Sequence, residues 1–562
     1  MGERPEFHRP KVDGVAVDRD VRVPMRDGVH LCADVYRPEG AAQERHPVLL
    51  AVSPYQKDLA GLPAVPTYPT RETGPIEWYV QQGYVYVLAD VRGTGKSDGR
   101  WEVLGATEQR DLYDLVEWAA EQPWSTGRVG MIGQSYFAML QWLAAIQRPP
   151  HLACIAPYDA SIDEYREAAF HGGIPSSGFI TLWSFAVRAM HAMGPRGADG
   201  LAKLGDVDRE LLEHPTDDDF WRERSAYWRM DRIDVPVFSI GNWGKHARHL
   251  RGNILGFELV TSPKRLYVEA GARPSQLNVA KALTDYESTE FHERLLLPWY
   301  DHWLRDKDSG IMTGPAVRLH VSGTDEERAF DRWPPPGVEC VPYYLTPGPS
   351  DVVESLNDGG LSTTPPEGSL PSTSYHYPQA EWHVGTTLVN PSGVPNQVAR
   401  ILTFTSAPLD EDVMVIGPVK LVLYASSDQS DTDFIVRLTD QEPDGTPRPE
   451  GAAPPGQVLT RGWLKASHRA VDPERSTDLR PFHTHRDPQP LEPGEVYRFE
   501  VEVLPIGHVF RRGHRIRLEL ANGDSPMTEG IFTHFYGVKA GVDTVHHDAV
   551  SPSHLLLPVV RG

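Results

Sequence analysis

The stretch "VGMIGQSYFAMLQW" at residues 129–142 decides how the rest of the chain is read. Val129, Met131 and Ile132 form a short apolar run, Gly133-Gln134-Ser135 a turn, and Tyr136 onward an apolar segment of helical length. A strand that feeds a helix through a serine-bearing turn presents a nucleophile, because the sharp bend lifts the hydroxyl clear of the backbone. Small residues on both sides of the serine keep that bend from clashing with the helix it starts. Gly133 supplies the first of them, but Phe137 stands where the second belongs, so the G-x-S-x-G spacing is half met. On this stretch alone Ser135 is either a nucleophile or a structural serine in a strand-to-helix turn.

The flanking segments supply the context. "HPVLLAVSPY" (46–55) and "YVYVLADVRG" (84–93) are apolar, β-branched runs ending in polar turns, as strands buried on both faces are. "EQRDLYDLVEWAAEQ" (108–122) sets Leu112, Leu115, Val116 and Ala119 at helical spacing, and "HLACIAPYDAS" (151–161) is a further strand. Strand and helix in alternation predict a parallel sheet covered by helices, class α/β. From 162 to 230 the sequence reads as helices without strands, which predicts a cap over the sheet's active edge. Strands resume at "VPVFSIGN" (235–242) and "KRLYVEAG" (264–271), and "TEFHERLLLPWYDHWLRD" (289–306) is a helix. Beyond residue 311, period-2 alternation with Pro, Gly and Asp turns predicts a sandwich of about eight strands, starting with "AVRLHVSG". The expected architecture is thus an α/β-hydrolase core in two parts (1–160 and 233–310), a helical cap (161–232) and a C-terminal β-sandwich or jelly roll (311–562).

The totals bound the function. A chain of 562 residues exceeds a single core, and 55 Lys+Arg against 77 Asp+Glu gives a net charge of −22. So acidic a surface argues against nucleic acid or an anionic membrane as partner and leaves a small-molecule substrate; self-association into a homo-oligomer stays compatible with it. Cys32, Cys154 and Cys340 are odd in number and far apart, which offers neither a disulfide framework nor a Cys-x-x-Cys metal site. No apolar run approaches the ~20 residues that span a bilayer, and residues 1–14 have no signal-peptide-like apolar core, so a cytoplasmic protein is expected. No cofactor and no metal are expected. "HTH" (483–485) and "HHD" (546–548) offer metal-ligand types but read as surface loops, and "RGTGKS" lacks the P-loop spacing, so Asp90, Arg92 and Gly93 read as turn structure.

"SPYQKD" (53–58), "DVRGTGKSDG" (90–99), "RDGVHLCADVYRP" (26–38) and "HVFRRGHRIRLEL" (508–520), with the order strand, helix, cap, strand, sandwich, resemble one family. This is the cocaine-esterase / X-Pro dipeptidyl-peptidase (CocE/NonD) family of serine hydrolases, and the resemblance runs from residue 20 to the end. The family's elbow is G-x-S-Y-x-G with a large residue after the tyrosine, so Phe137 fits it and only Ala138 departs. The resemblance implies Ser135 as nucleophile, with the Tyr55 hydroxyl and the Tyr136 N–H as oxyanion donors. It also implies an acid in the turn matching "GNWGKHARHLRGN" (241–253) and a histidine in the loop matching "GARPSQLNVAKALTDY" (271–286); the first contains no carboxylate and the second no imidazole.

A serine hydroxyl needs a base, and the base a partner to orient it. The substitutes within reach in sequence are His249 and His246 after "VFSIGN", and Asp159 at the end of the strand that follows the nucleophile's helix; Asp285 and Glu287 are carboxylates of last resort. Against each stands a plain reading: packing or capping for His249, exposure for His246. His171 in "FHGG" follows the nucleophile, unlike an oxyanion His-Gly-Gly, and is read with Trp183 and Trp243 as lining the substrate pocket, although core packing explains such aromatics equally. Three functions remain open: hydrolysis of an ester or amide, possible reuse of the scaffold for acyl transfer, cyclisation or rearrangement, and an inactive binding protein.

Overall fold

The structure, a computed structural model, describes residues 11–40, 44–59, 72–194, 196–245, 248–270, 286, 288–324, 326–353, 355–378, 388–389, 395–396, 401–443, 458–524, 532–534 and 539–561. Its first layer is a ten-stranded sheet. Strands β1 (Val15–Pro24), β2 (His30–Pro38), β3 (His46–Ser53), β4 (Val85–Asp90), β5 (Ser125–Met131) and β6 (Leu152–Ile155) come from the first 160 residues. After a β7–β8 hairpin (Phe170–His171, Ile174–Pro175) follow β9 (Val237–Asn242), β10 (Lys264–Glu269), β11 (Val317–Val321) and β12 (Glu326–Phe330). The spatial order is β1-β2-β4-β3-β5-β6-β9-β10-β11-β12. From β4 through β11 neighbouring strands run parallel, while the pairs β1–β2, β2–β4 and β11–β12 are antiparallel. All six residues of β4 are buried, because helices cover both faces of the sheet.

Helix Ala106–Glu121 buries Leu112, Leu115, Val116 and Ala119, the face its spacing predicted. The segment after β6 departs from an all-helical cap. It opens with a π-helical turn, Tyr165–Ala169, and the short β7–β8 hairpin before helix Ser177–Met193 begins. A second correction concerns "AVRLHVSG": its strand, β11, pairs in parallel with β10 and completes the core sheet rather than opening the sandwich. Alternation does not say which sheet a strand joins.

The rest of the chain forms an eleven-stranded sheet in which the strand Val413–Ser427 also pairs with His554–Val560, folding the sheet back on itself. Its inward residues, among them Leu421, Phe434, Phe499 and Leu518, make a separate core. Apolar packing of Trp243, Leu250, Ile254 and Leu319 against Ile416 and Val509 joins it to the α/β layer. It also holds the cap: Arg166 Nη2 donates to the His483 carbonyl at 2.8 Å, and the Lys465 N–H to the Gly172 carbonyl at 2.8 Å. His483, His485 and His547, read as surface residues, are buried in these packed regions. Among the described residues no helix is long and apolar enough to cross a membrane.

Candidate active site

Ser135 sits between β5 and the helix Tyr136–Gln147 with φ 59° and ψ −117°, a conformation that side chains other than glycine's rarely adopt. Strain of that kind persists only where surrounding bonds fix it. The Ser135 N–H donates to the Asp159 carbonyl at 3.0 Å, and its own carbonyl accepts the Met139 N–H at 2.8 Å. The puzzle of Phe137 resolves in the same turn. Gly133 has φ 128°, and a Cβ placed there would lie 2.4 Å from the Phe137 Cβ. The space that the missing second glycine would leave is filled by Phe137, and the first glycine therefore has to stay.

His249 is the base candidate that reaches the serine: its Nε2 lies 3.4 Å from Ser135 Oγ. It caps the helix Leu250–Leu259, and its Nδ1 has no partner among the described residues. Burial, then Arg248 and Lys245, holds its pKa well below the ordinary imidazole value, so the ring is neutral. His246 lies outside the described residues, as do Asp285, Glu287 and the loop 271–285.

Asp159 is wholly buried, but its carboxylate does not orient His249. It accepts Gln134 Nε2 at 2.9 Å and the Tyr286 hydroxyl at 3.2 Å, and burial pushes its pKa up to about 6. What it gives the site is its backbone: with φ 48°, its carbonyl is turned onto the Ser135 amide.

Tyr55 lies across the elbow, its ring 6.1 Å from both Tyr136 and Phe137. Its hydroxyl oxygen accepts the Trp183 indole N–H at 3.0 Å, and the Trp183 ring stacks on Tyr136 at 6.2 Å and 14°. Trp183 thus belongs to the site. The Tyr136 hydroxyl points away, donating to Glu108 Oε1 at 2.9 Å while the Trp101 indole N–H reaches it at 3.2 Å. Burial raises the Glu108 carboxyl to about 8. Sequence reasoning passed over Glu108, although it shares the buried face of Leu112, Leu115 and Ala119, where a carboxylate needs a partner.

Beside these residues a cavity opens between the elbow helix and the cap, lined by Leu104, Tyr136, Met139, Ile180, Trp183 and Arg248 among others. His171 stands elsewhere. It stacks on Trp463 at 4.5 Å and its Nδ1 meets His534 Nε2 at 2.7 Å, in a second cavity between cap and sandwich. Trp243 lines neither cavity, which corrects its reading as a substrate contact. Its indole donates to the His320 carbonyl at 2.6 Å and lies so close to Gly507 that a Cβ there would be 2.6 Å from the ring. It joins the two layers. Arg92 likewise is structural, paired with Asp111 at 2.8 and 2.6 Å. Among the described residues no group of three or more His, Cys, Asp and Glu is placed to hold a metal ion.

Comparison with known proteins agrees with this geometry. The model of the X-Pro dipeptidyl-peptidase (S15 family) matches residues 27–272, and that of the X-Pro dipeptidyl-peptidase C-terminal non-catalytic domain matches 309–556. The chain is 28% identical to a cocaine esterase of Rhodococcus, over 98% of this chain and 100% of that one. It is 24% identical to a putative Xaa-Pro dipeptidyl-peptidase of Bacillus anthracis, over 95% and 85%. A CocE/NonD family hydrolase from Staphylococcus aureus superposes with a TM-score of 0.80 at 26% identity, covering 99% of each chain. The two family models together span most of the sequence, and the chain belongs to the X-Pro dipeptidyl-peptidase (S15), or CocE/NonD, family of α/β-hydrolases.

Proposed function

We propose that this protein hydrolyses an ester or amide bond through an acyl-enzyme on Ser135, using a Ser135–His249 dyad with no carboxylate behind it among the described residues. The observation that carries the reading is the 3.4 Å approach of His249 Nε2 to a hydroxyl held on a strained turn. Relatives named as esterases and peptidases support the class of reaction.

In the first half-reaction the Ser135 proton passes to His249 Nε2 while Oγ bonds to the substrate's carbonyl carbon. The oxygen of that carbonyl gains negative charge, which the Tyr136 N–H, at the positive end of its helix, and the Tyr55 hydroxyl stabilise. Since the Tyr55 oxygen already accepts from Trp183, the phenol's own proton is what it offers. The proton on His249 then goes to the departing alcohol or amine. Water repeats the sequence on the acyl-serine and returns the proton to Oγ. To accept at Nε2, neutral His249 must carry its proton on Nδ1, which has no acceptor among the described residues. The imidazolium is therefore less stabilised than in a complete triad, and the base is weak.

That weakness favours a second reading, in which the pocket serves a non-hydrolytic acyl transfer, cyclisation or rearrangement. A fluorophosphonate probe separates the two by intact-protein mass. A stoichiometric adduct that maps to Ser135 is expected. No adduct, together with a tightly held small molecule in the protein, overturns the hydrolytic reading. A cytoplasmic location accompanies the proposal, supported by three cysteines that are all free. A small molecule as the partner is supported by the net charge of −22.

A further inference from the structure

Arg248 precedes the candidate base in sequence and is 8% exposed. Among the described residues its Nε and Nη1 have no hydrogen-bond partner, and it is the one arginine there with two such nitrogens. The third nitrogen, Nη2, is poorly served, 3.7 Å from Met139 Sδ and 3.5 Å from Glu164 Oε2. Glu164 is itself engaged by the Ser161 hydroxyl at 2.6 Å. A buried guanidinium normally finds acceptors for its five N–H groups, because the water it gave up has to be replaced. Here the side chain forms part of the wall of both cavities, so a ligand that enters either one meets Arg248.

We propose that the substrate of the Ser135 site carries a carboxylate, bound by Arg248; the inference rests on Ser135 as the nucleophile. Position supports it. Met139, whose Sδ lies 3.7 Å from Arg248 Nη2, sits one helical turn after Ser135 and donates its N–H to the Ser135 carbonyl at 2.8 Å. The next residue, His249, touches that hydroxyl directly. The body of the ligand follows from the rest of the first cavity, where Leu104, Ile180, Ala168 and Trp221 are apolar. Arg224, also in the lining, spends Nη1 on the Phe220 carbonyl at 3.1 Å and on Glu223 Oε1 at 3.4 Å, and keeps one unpaired nitrogen against the two of Arg248. The single positive charge of Arg248 matches a monoanion when Glu164, which burial pushes toward its protonated form, is neutral, and a dianion would exceed it. The ligand is a monocarboxylic acid with an apolar body, and the acid sits on either the acyl part or the leaving group.

The full-length protein tests this with two ester pairs. The 4-nitrophenyl monoester of glutaric acid is compared with 4-nitrophenyl pentanoate, and 3-carboxyphenyl acetate with phenyl acetate. One acid is expected to exceed its neutral counterpart in kcat/KM by about 10–10²-fold, the span of a charge-assisted hydrogen bond. Which pair shows the preference tells which side of the scissile bond Arg248 holds. Arg248→Met is expected to collapse that ratio mainly through KM, and Arg248→Lys to recover part of it. Binding supplies a readout that needs neither turnover nor the arginine variants. Calorimetry on Ser135→Ala is expected to find 4-phenylbutyrate bound at least about 10-fold more tightly than 4-phenylbutanamide. Selective acid binding without any esterase activity breaks the hydrolytic reading and leaves the Arg248 site standing. Ester turnover with no preference for the acids, and equal binding of acid and amide, overturns the Arg248 site alone.

Discussion

His249 in the α/β layer and His508 in the sandwich each meet a serine hydroxyl, and their surroundings are opposite. His508 Nδ1 lies 2.7 Å from Ser322 Oγ, and its Nε2 is 3.0 Å from Asp440 Oδ2, a complete serine–imidazole–carboxylate chain. Yet Ser322 lies just past β11, on backbone without the positive φ of Ser135, and its hydroxyl also reaches the Gly507 carbonyl at 3.1 Å. Asp440 is shared with His514 at 3.0 Å. That chain fastens the sandwich to the core sheet. Among the described residues His249 has no carboxylate partner, but it meets a serine on a strained turn, with Tyr136 and an apolar cavity next to that serine. The lesson is that three residue types in hydrogen-bond order do not make an active site; the strained turn and the donors around it do.

The largest expected effect breaks the comparison outright. Ser135→Ala should lower turnover of any accepted activated ester by at least about 10⁴-fold, while Ser322→Ala should leave it within about twofold. Equal losses from the two, in steady-state assays, would mean that the elbow is not the seat of reaction. Next comes Tyr55→Phe, which should reduce kcat by ~10²–10³-fold through the loss of one oxyanion donor. A pre-steady-state burst with an activated ester locates that loss in acylation.

The pH–rate profile sharpens the contrast between the two imidazoles. His249 must be neutral to accept the proton, and its pKa is held well below 6.5, first by burial. The kcat/KM profile should therefore stay level as pH falls through 6.5 and drop only below it. An acid limb at or above that value would point to another base. The smallest effect on turnover is expected from Asp440→Asn. It should destabilise the fold by about 3 kcal/mol, because an amide in place of the carboxylate leaves either buried His508 or half-buried His514 without its acceptor, with kcat changed less than about threefold. Denaturant unfolding monitored by tryptophan fluorescence measures the first, and the ester assay the second.

Much of this protein was legible in its sequence for local reasons. Apolar runs at 46–55 and 84–93 became β3 and β4, and the turn at 133–135 became the elbow, because a strand buried on both faces and a helix begun by a glycine turn are set by residues next to one another. The fate of "AVRLHVSG" was not legible, since β11 is placed by its partner β10 and not by its own alternation. Nor was Trp243 separable from Trp183 by composition: one fills the joint against Gly507, the other stacks on Tyr136. Asp159 stood at the expected edge of the sheet, yet its side chain turns to Gln134 and Tyr286, a choice made by residues 25 and 127 positions away.

What the sequence by itself determined is the scaffold and the serine on it. Strand burial, helix periodicity and the Gly133-x-Ser135 turn are short-range properties, written in consecutive residues. What only the tertiary structure decided is the company that serine keeps: His249 across 114 residues, Tyr55 and Trp183, themselves 128 apart in sequence and hydrogen-bonded to each other, and Arg248 with two nitrogens unpaired among the described residues. The physical reason is that proton transfer and charge compensation depend on distances of a few ångströms, and closing the long loops that bring such residues together is a property of the whole packed core rather than of any segment within it.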